Sequence, residues 1–217
     1  MRSWFVVGVL GAVGCATAID GHHDVAVDAS AADAAVVAID APASCNQVTT
    51  QLLVNGNFDA TPIGTGWSET RIDAGFALIT PDDGVVEQTA PNKAWMGGFA
   101  RANANDQLFQ DIAIPARTSA LALTGFYDVR TGETGAAVRD TATVVLVKLD
   151  GTLLDTALAT DNTHPKTDWT SLDHAFAVGD LSGQTVRLKL ATHNNATVNT
   201  ETSFFFDTLA LTATHCQ

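Results

Sequence analysis

The residue types that carry catalysis are present in this chain but are not grouped for it. His164, His174, His193 and His215 are scattered through the second half of the sequence. No HExxH, GxSxG or clustered His-Cys pattern occurs. Ser171 and Ser182 have no histidine at a recognisable spacing, and Glu133 and Asp140 are separated by residues that read as a loop between strands. Glycosidase geometry does not follow from such a pair, and no catalytic residue is assigned. Asp207 is chemically conspicuous because it stands in Phe204-Phe205-Phe206-Asp207-Thr208-Leu209. A bare carboxylate in an apolar run is costly, so it either faces solvent or is met by something cationic. Trp67, Trp95, Trp169 and Tyr127 are the aromatics that could stack on a sugar ring.

The elements that must position these residues are short β-rich runs separated by turn residues. Thr185-Val186-Arg187-Leu188-Lys189-Leu190 alternates strictly, which sends its apolar residues to one face. Leu149-Asp150-Gly151-Thr152-Leu153 reads as a hairpin because Asp-Gly suits a tight turn. A Thr- and Val-rich strand is expected over 141–149. Further runs are expected at 47–54, 76–80, 94–99, 107–114, 119–128, 168–178 and 203–213. With no long helical period, eight to ten such strands predict an all-β sandwich or barrel over residues 45–217.

What precedes that domain is built differently. Arg2 and the apolar stretch of residues 4–13 form a targeting segment too short to span a bilayer. Ala12-Val13-Gly14-Cys15 resembles the lipobox of bacterial lipoproteins, which implies lipidation at Cys15 and an anchor in the cell envelope, in the outer membrane. Residues 1–15 are the signal segment on this reading. Ala16-Thr17-Ala18 offers a competing cut that would release a soluble protein. Residues 16–44 are rich in Ala, Asp and Val, with no Lys, Arg or aromatic residue, and are expected to form a disordered tether. His22-His23-Asp24 lies in that stretch without further ligands and reads as solvated.

The formal net charge is -13 over 217 residues. No basic cluster exists to neutralise phosphates, which argues against a nucleic-acid partner. With Cys15 taken by lipid, Cys45 and Cys216 remain, just before the first strand and just after the last. In an oxidising compartment they are expected to pair, which would make those two strands neighbours.

The local motifs follow a recognisable order. Leu53-Val54-Asn55-Gly56-Asn57-Phe58-Asp59 opens the domain, then Gly66-Trp67 and Ala94-Trp95-Met96-Gly97-Gly98. Leu108-Phe109-Gln110-Asp111-Ile112-Ala113-Ile114-Pro115 and Asp140-Thr141-Ala142-Thr143-Val144 come next, before Asp180-Leu181-Ser182-Gly183-Gln184-Thr185-Val186 and the Phe204 to Leu211 run. The series resembles the galactose-binding-like jelly rolls, a sandwich of two antiparallel sheets shared by many carbohydrate-binding modules. The resemblance implies a structural calcium shared by an acid of the opening motif and an Asp of the final strand. Asp59 and Asp207 match those positions, with Asn57 as an amide ligand. It also implies that the tryptophans are scaffold residues, which leaves Trp95 and Tyr127 as weak ligand-binding candidates. The expected function is a non-catalytic, envelope-anchored binding module for a glycan or a protein. A structural envelope protein without a small ligand, or a hydrolase accessory domain, stands as the alternative.

Overall fold

Alternation of period two is what separates core from surface in this chain. The computed structural model describes residues 45–82, 84–99, 101–195 and 200–217. The signal segment with Cys15 and the tether expected over 16–44 lie outside the described residues. Among these residues eleven strands form two antiparallel sheets. The first sheet contains β1 (Gln47–Gln51), β3 (Ile79–Thr80), β4 (Lys93–Gly97), β6 (Thr118–Thr131), β9 (Thr170–Phe176) and β11 (Thr202–Cys216). The second contains β2 (Ser68–Thr70), β5 (Ala104–Ala113), β7 (Thr141–Val147), β8 (Leu153–Asp161) and β10 (Thr185–Asn194), in the order β2-β5-β10-β7-β8. This is the expected jelly-roll sandwich.

The inner faces supply the core. Val186, Leu188 and Leu190 of β10 meet Leu108 and Ile112 of β5 and Val144 and Leu146 of β7 in one apolar cluster. From the first sheet come Leu121 and Leu123 of β6 and Phe204, Phe206, Leu209 and Leu211 of β11. The Asp-Gly hairpin forms as expected: Lys148 and Thr152 close it, and β7 pairs with β8.

The ends of the domain also meet. Cys45 and Cys216 form a disulfide with Cα atoms 5.2 Å apart. β1 pairs antiparallel with β11, Gln47 opposite Cys216. Three expectations shift. The first strand, expected over 47–54, stops at Gln51, and Asn57 and Asp59 lie beyond it in the following turn. The strand expected over 76–80 shrinks to two residues. β2, three polar residues long, carries no apolar pattern and was not foreseen.

One connection decides the surface of the first sheet. Ala94 and Met96 of β4 and Phe204 and Phe206 of β11 point into the core. Their neighbours Lys93, Trp95, Phe205 and Asp207 therefore point outward. The chain between β3 and β4 lies over this outer face, and Lys93, Phe205 and Asp207 are buried beneath it.

Candidate functional site

Asp207 lies close enough to Asp59 for the two charges to interact. β11 has a bulge after Asp207, with Thr208 at φ 53. The turn after β1 carries two more left-handed residues, Asn55 at φ 56 and Phe58 at φ 63. Gly56 is required where the two segments touch: a Cβ there would lie 1.9 Å from the Leu209 carbonyl oxygen. Asp207 is fully buried. Its Oδ2 accepts the Thr89 backbone N–H at 2.8 Å and its Oδ1 accepts that of Thr208 at 2.6 Å. Asp59 Oδ1 accepts the Asn92 N–H at 2.9 Å, and its Oδ2 accepts the Asn57 amide at 2.8 Å. Burial pushes the Asp207 carboxyl above the usual range, and the charge of Asp59 adds to the rise.

Among the described residues neither acid has a Lys or Arg partner at ion-pair distance. Each of the four carboxylate oxygens accepts a hydrogen bond, from Asn92, Asn57, Thr89 or Thr208. No group of three or more His, Cys, Asp or Glu side chains is disposed for a metal among the described residues. Any calcium here would take the rest of its shell from an amide and carbonyls.

The aromatic candidates part company. Trp67 is buried, 5.3 Å from the Phe58 ring, and donates its indole N–H to the Asn55 carbonyl. It is a scaffold residue, as expected. Tyr127 of β6 is half-buried against the core with Lys166 Nζ 5.6 Å over its ring, and it lines neither pocket of the covered face. Trp95 and Trp169 are absent from the core cluster, contrary to the expectation that all three tryptophans are core packing. Outward alternation puts Trp95 on the covered face, and the overlying connection gives each of the two rings a pocket.

Trp95 stacks on Phe205 with ring centres 5.3 Å apart and donates to Ser203 Oγ at 3.0 Å. Its other side lines a pocket of about 260 Å³. Phe76 and Phe99 form the lips, 5.9 Å apart and edge to face, and Phe76 is 60% exposed. Thr80, Asp82 and Asp106 supply polar groups to the walls. Asp106 accepts the N–H groups of Ile72 and Gly97 at 2.7 and 2.8 Å, and burial pushes its carboxyl up. Gly98, at φ 77, has no room for a side chain, since a Cβ would stand 2.8 Å from Ser203 Oγ and 3.3 Å from the Trp95 indole nitrogen. The arrangement offers flat apolar faces, a carboxylate and a hydroxyl around a space the size of one small ring. Phe76 and Phe99 were not singled out from sequence, because an isolated phenylalanine in a β-rich chain reads as core.

Glu133 and Asp140 do approach each other. Burial, and then the charge of Asp140, raise the Glu133 carboxyl. Both Asp140 oxygens are held by backbone N–H groups of Asn195 and Thr202. Asp140 therefore ties loops together. His164 pairs with Asp161 at 3.0 Å and Thr163 bonds the same carboxylate, all within one turn, which is local turn closure.

No protein-family model matches this chain, and no curated protein matches it in sequence. Among solved structures it resembles the carbohydrate-binding module TmCBM61 in complex with β-1,4-galactotriose. That likeness has a TM-score of 0.51 at 11% identity, and covers 75% of this chain and 97% of the other. It also resembles an arabinose-bound MgGH51 α-L-arabinofuranosidase, with a TM-score of 0.48, 16% identity, 75% of this chain and 26% of that one. A cyclase from Fischerella sp. TAU in complex with 4-(1H-indol-3-yl)butan-2-one matches with a TM-score of 0.48 at 16% identity, over 77% and 99%. At 11% identity the likeness to the module is one of fold: a jelly-roll β-sandwich.

Proposed function

We propose that this protein is a non-catalytic glycan-binding module held at the cell envelope, and that the Phe76, Trp95 and Phe99 pocket receives the sugar. The observation that carries this is the pair of exposed Phe76 and half-buried Phe99 lining one pocket with Trp95, with Thr80 and Asp82 at the wall. Sugar rings present apolar C–H faces and a rim of hydroxyls. An aromatic pocket with a few placed polar groups matches both. The fold is one that carbohydrate-binding modules use, and the galactotriose complex makes β-1,4-galacto-oligosaccharides sensible first probes. A glycan array with the exported protein is expected to give binders, and Phe76→Ala is expected to weaken them at least about tenfold, the loss of one aromatic anchor. An array without a binder, or binding indifferent to Phe76→Ala, would count against the pocket.

The anchor and the cation belong to the same proposal. Gly14-Cys15 at the end of a short apolar run supports lipid attachment at Cys15, with residues 16–44 as the tether. Labelled fatty acid is expected on the wild type and absent from Cys15→Ala. A mature N-terminus at Ile19 would establish secretion after Ala18 instead. Calcium between Asp59 and Asp207 would hold the turn after β1 to β11, away from any chemistry.

A second reading has its own observation. Leu149 and Leu153 are exposed beside a cleft whose lining includes Leu154, Val178 and Leu181, an apolar surface that suits packing against another envelope protein.

A further inference from the structure

We infer that the chain between β3 and β4 divides one saccharide-binding face into two adjacent subsites, so that the ligand is an oligosaccharide of two or more neutral rings. This rests on the glycan reading above and adds a second site to it. A second pocket, of about 430 Å³, opens on the other side of that connection. Its walls include Val86, Glu87, Asp128, Arg130, Asp168 and Trp169.

The linings of the two pockets come into contact at Gly84. Gly84 lines the second pocket, and a Cβ at Gly84 would stand 3.0 Å from the Phe205 ring and 3.3 Å from the Trp95 ring. The backbone there rests on the aromatic pair whose tryptophan lines the first pocket. Lys93 pins the connection on both sides. Its buried Nζ donates to the Asp82 carbonyl at 2.7 Å and to Glu87 Oε1 at 3.0 Å. Asp82 lines the first pocket and Glu87 the second.

The second pocket has the chemistry of a sugar subsite. The Trp169 indole N–H donates to the Val86 carbonyl at 2.8 Å, which fixes the ring as a wall. Val86, 83% exposed, adds an apolar crest beside it. Asp128 is 1% exposed. Its Oδ2 pairs with Arg130 Nη2 at 2.6 Å, while its Oδ1 is buried with no donor. That oxygen is closed off from solvent, so Asp128 acts on the pocket by holding Arg130 in place. Arg130 is 43% exposed, and its planar group keeps further donors for hydroxyl oxygens. Asp128, Asp168 and Glu87 together disfavour an anionic ring. A neutral ring with adjacent hydroxyls, laid against Trp169 and within reach of Arg130, fits this lining.

The test is calorimetric titration of the full-length chain with β-1,4-linked galacto-, gluco-, manno- and xylo-saccharides of one to five rings. Affinity for at least one series is expected to rise about tenfold or more between one ring and three, as the second subsite fills. Trp169→Ala is expected to collapse that ratio towards one. Arg130→Lys, which keeps a charge beside Asp128 but loses the planar fork, is expected to lower it in part, and thermal melting checks that both variants are folded. Phe76→Ala is expected to weaken every length. If chain length has no effect, or if both folded variants keep the full increment, the second subsite is wrong while the first pocket stands. If no saccharide of the panel binds the wild type, both fall.

Discussion

On the outer face of the sheet built on β5 and β10, Arg187 forks onto Asp111 at 2.6 and 3.0 Å and lies 4.1 Å over the Phe109 ring. Both charged groups remain in partial contact with water. On the outer face of the other sheet, Lys93 and Asp207 have none, because the connection between β3 and β4 covers them. The same residue classes thus behave differently. The Arg187 hydrogen bond holds the Asp111 carboxyl below its usual range, whereas burial pushes that of Asp207 above it. The open face decorates a finished sandwich. The covered face has buried charge in order to hold a loop in place, and both aromatic pockets lie along that loop.

The largest expected effect is at Lys93. Lys93→Ala removes one partner of an ion pair, leaves the Asp82 carbonyl without its donor and releases the connection on both sides. Breaking a buried pair from one side costs 3–5 kcal/mol in general. Because Glu87 keeps some access to water, a loss of about 3 kcal/mol in urea unfolding is expected here. Saccharide binding should fall with it. Arg187→Ala on the open face should cost less than about 1 kcal/mol. If the two variants unfold at the same urea concentration, the contrast between the faces is lost.

Next in size is the acid pair. If calcium binds only the folded state, a hundredfold excess over Kd adds about 2.7 kcal/mol. Asp207→Asn and Asp59→Asn should each erase that gain and leave a folded protein in chelator. Melting curves unmoved by millimolar calcium would falsify the cation and leave Asp207 as a buried side chain that ties the connection to β11 through Thr89 and Thr208.

The smallest effect is the pH response, which has opposite signs on the two faces. The folded pKa of Asp207 is raised. Its contribution is therefore fully present below the unfolded carboxylate value, near 4, and is lost as pH rises through the folded value. The folded pKa of Asp111 is lowered. Its contribution is present above that unfolded value and is lost as pH falls through the depressed one. In chelator, Asp207→Asn should flatten the loss of stability on going from about pH 4 towards neutral. Arg187→Ala should flatten the loss on the acid side instead. Unfolding in urea across pH 3 to 7, a range set to bracket carboxylate titration, separates them. Matching slopes for both variants would mean that burial does not distinguish the faces.

Much of this was legible in the chain itself, for definite reasons. The alternation in β10 declares which residues face inward, since side chains in a strand alternate whatever surrounds it. Asp150-Gly151 announces its hairpin through local backbone preference. The place of Cys45 just before the first strand and of Cys216 at the end of the last anticipates the pairing of β1 with β11, because a disulfide allows only a short Cα separation. The cost of Asp207 in its aromatic run was visible too. These features are set by neighbours in sequence or by a short covalent link.

The pockets were decided elsewhere. Nothing in the local sequence says that Lys93 is fully buried, that Phe76 stands in solvent, or that Trp95 and Trp169 line different hollows of one face. Alternation tells which residues leave the core side of a strand. It does not tell what covers them once they have left. That depends on the path of a connection with little regular structure, fixed by contacts such as Lys93 to Asp82, Trp169 to Val86 and Thr89 to Asp207 between residues distant in sequence. Period-two patterning therefore determined the sandwich and its core. Only the tertiary path of one loop determined where hollows open on the first sheet, because burial on an outer face is a property of the covering segment rather than of the strand beneath it.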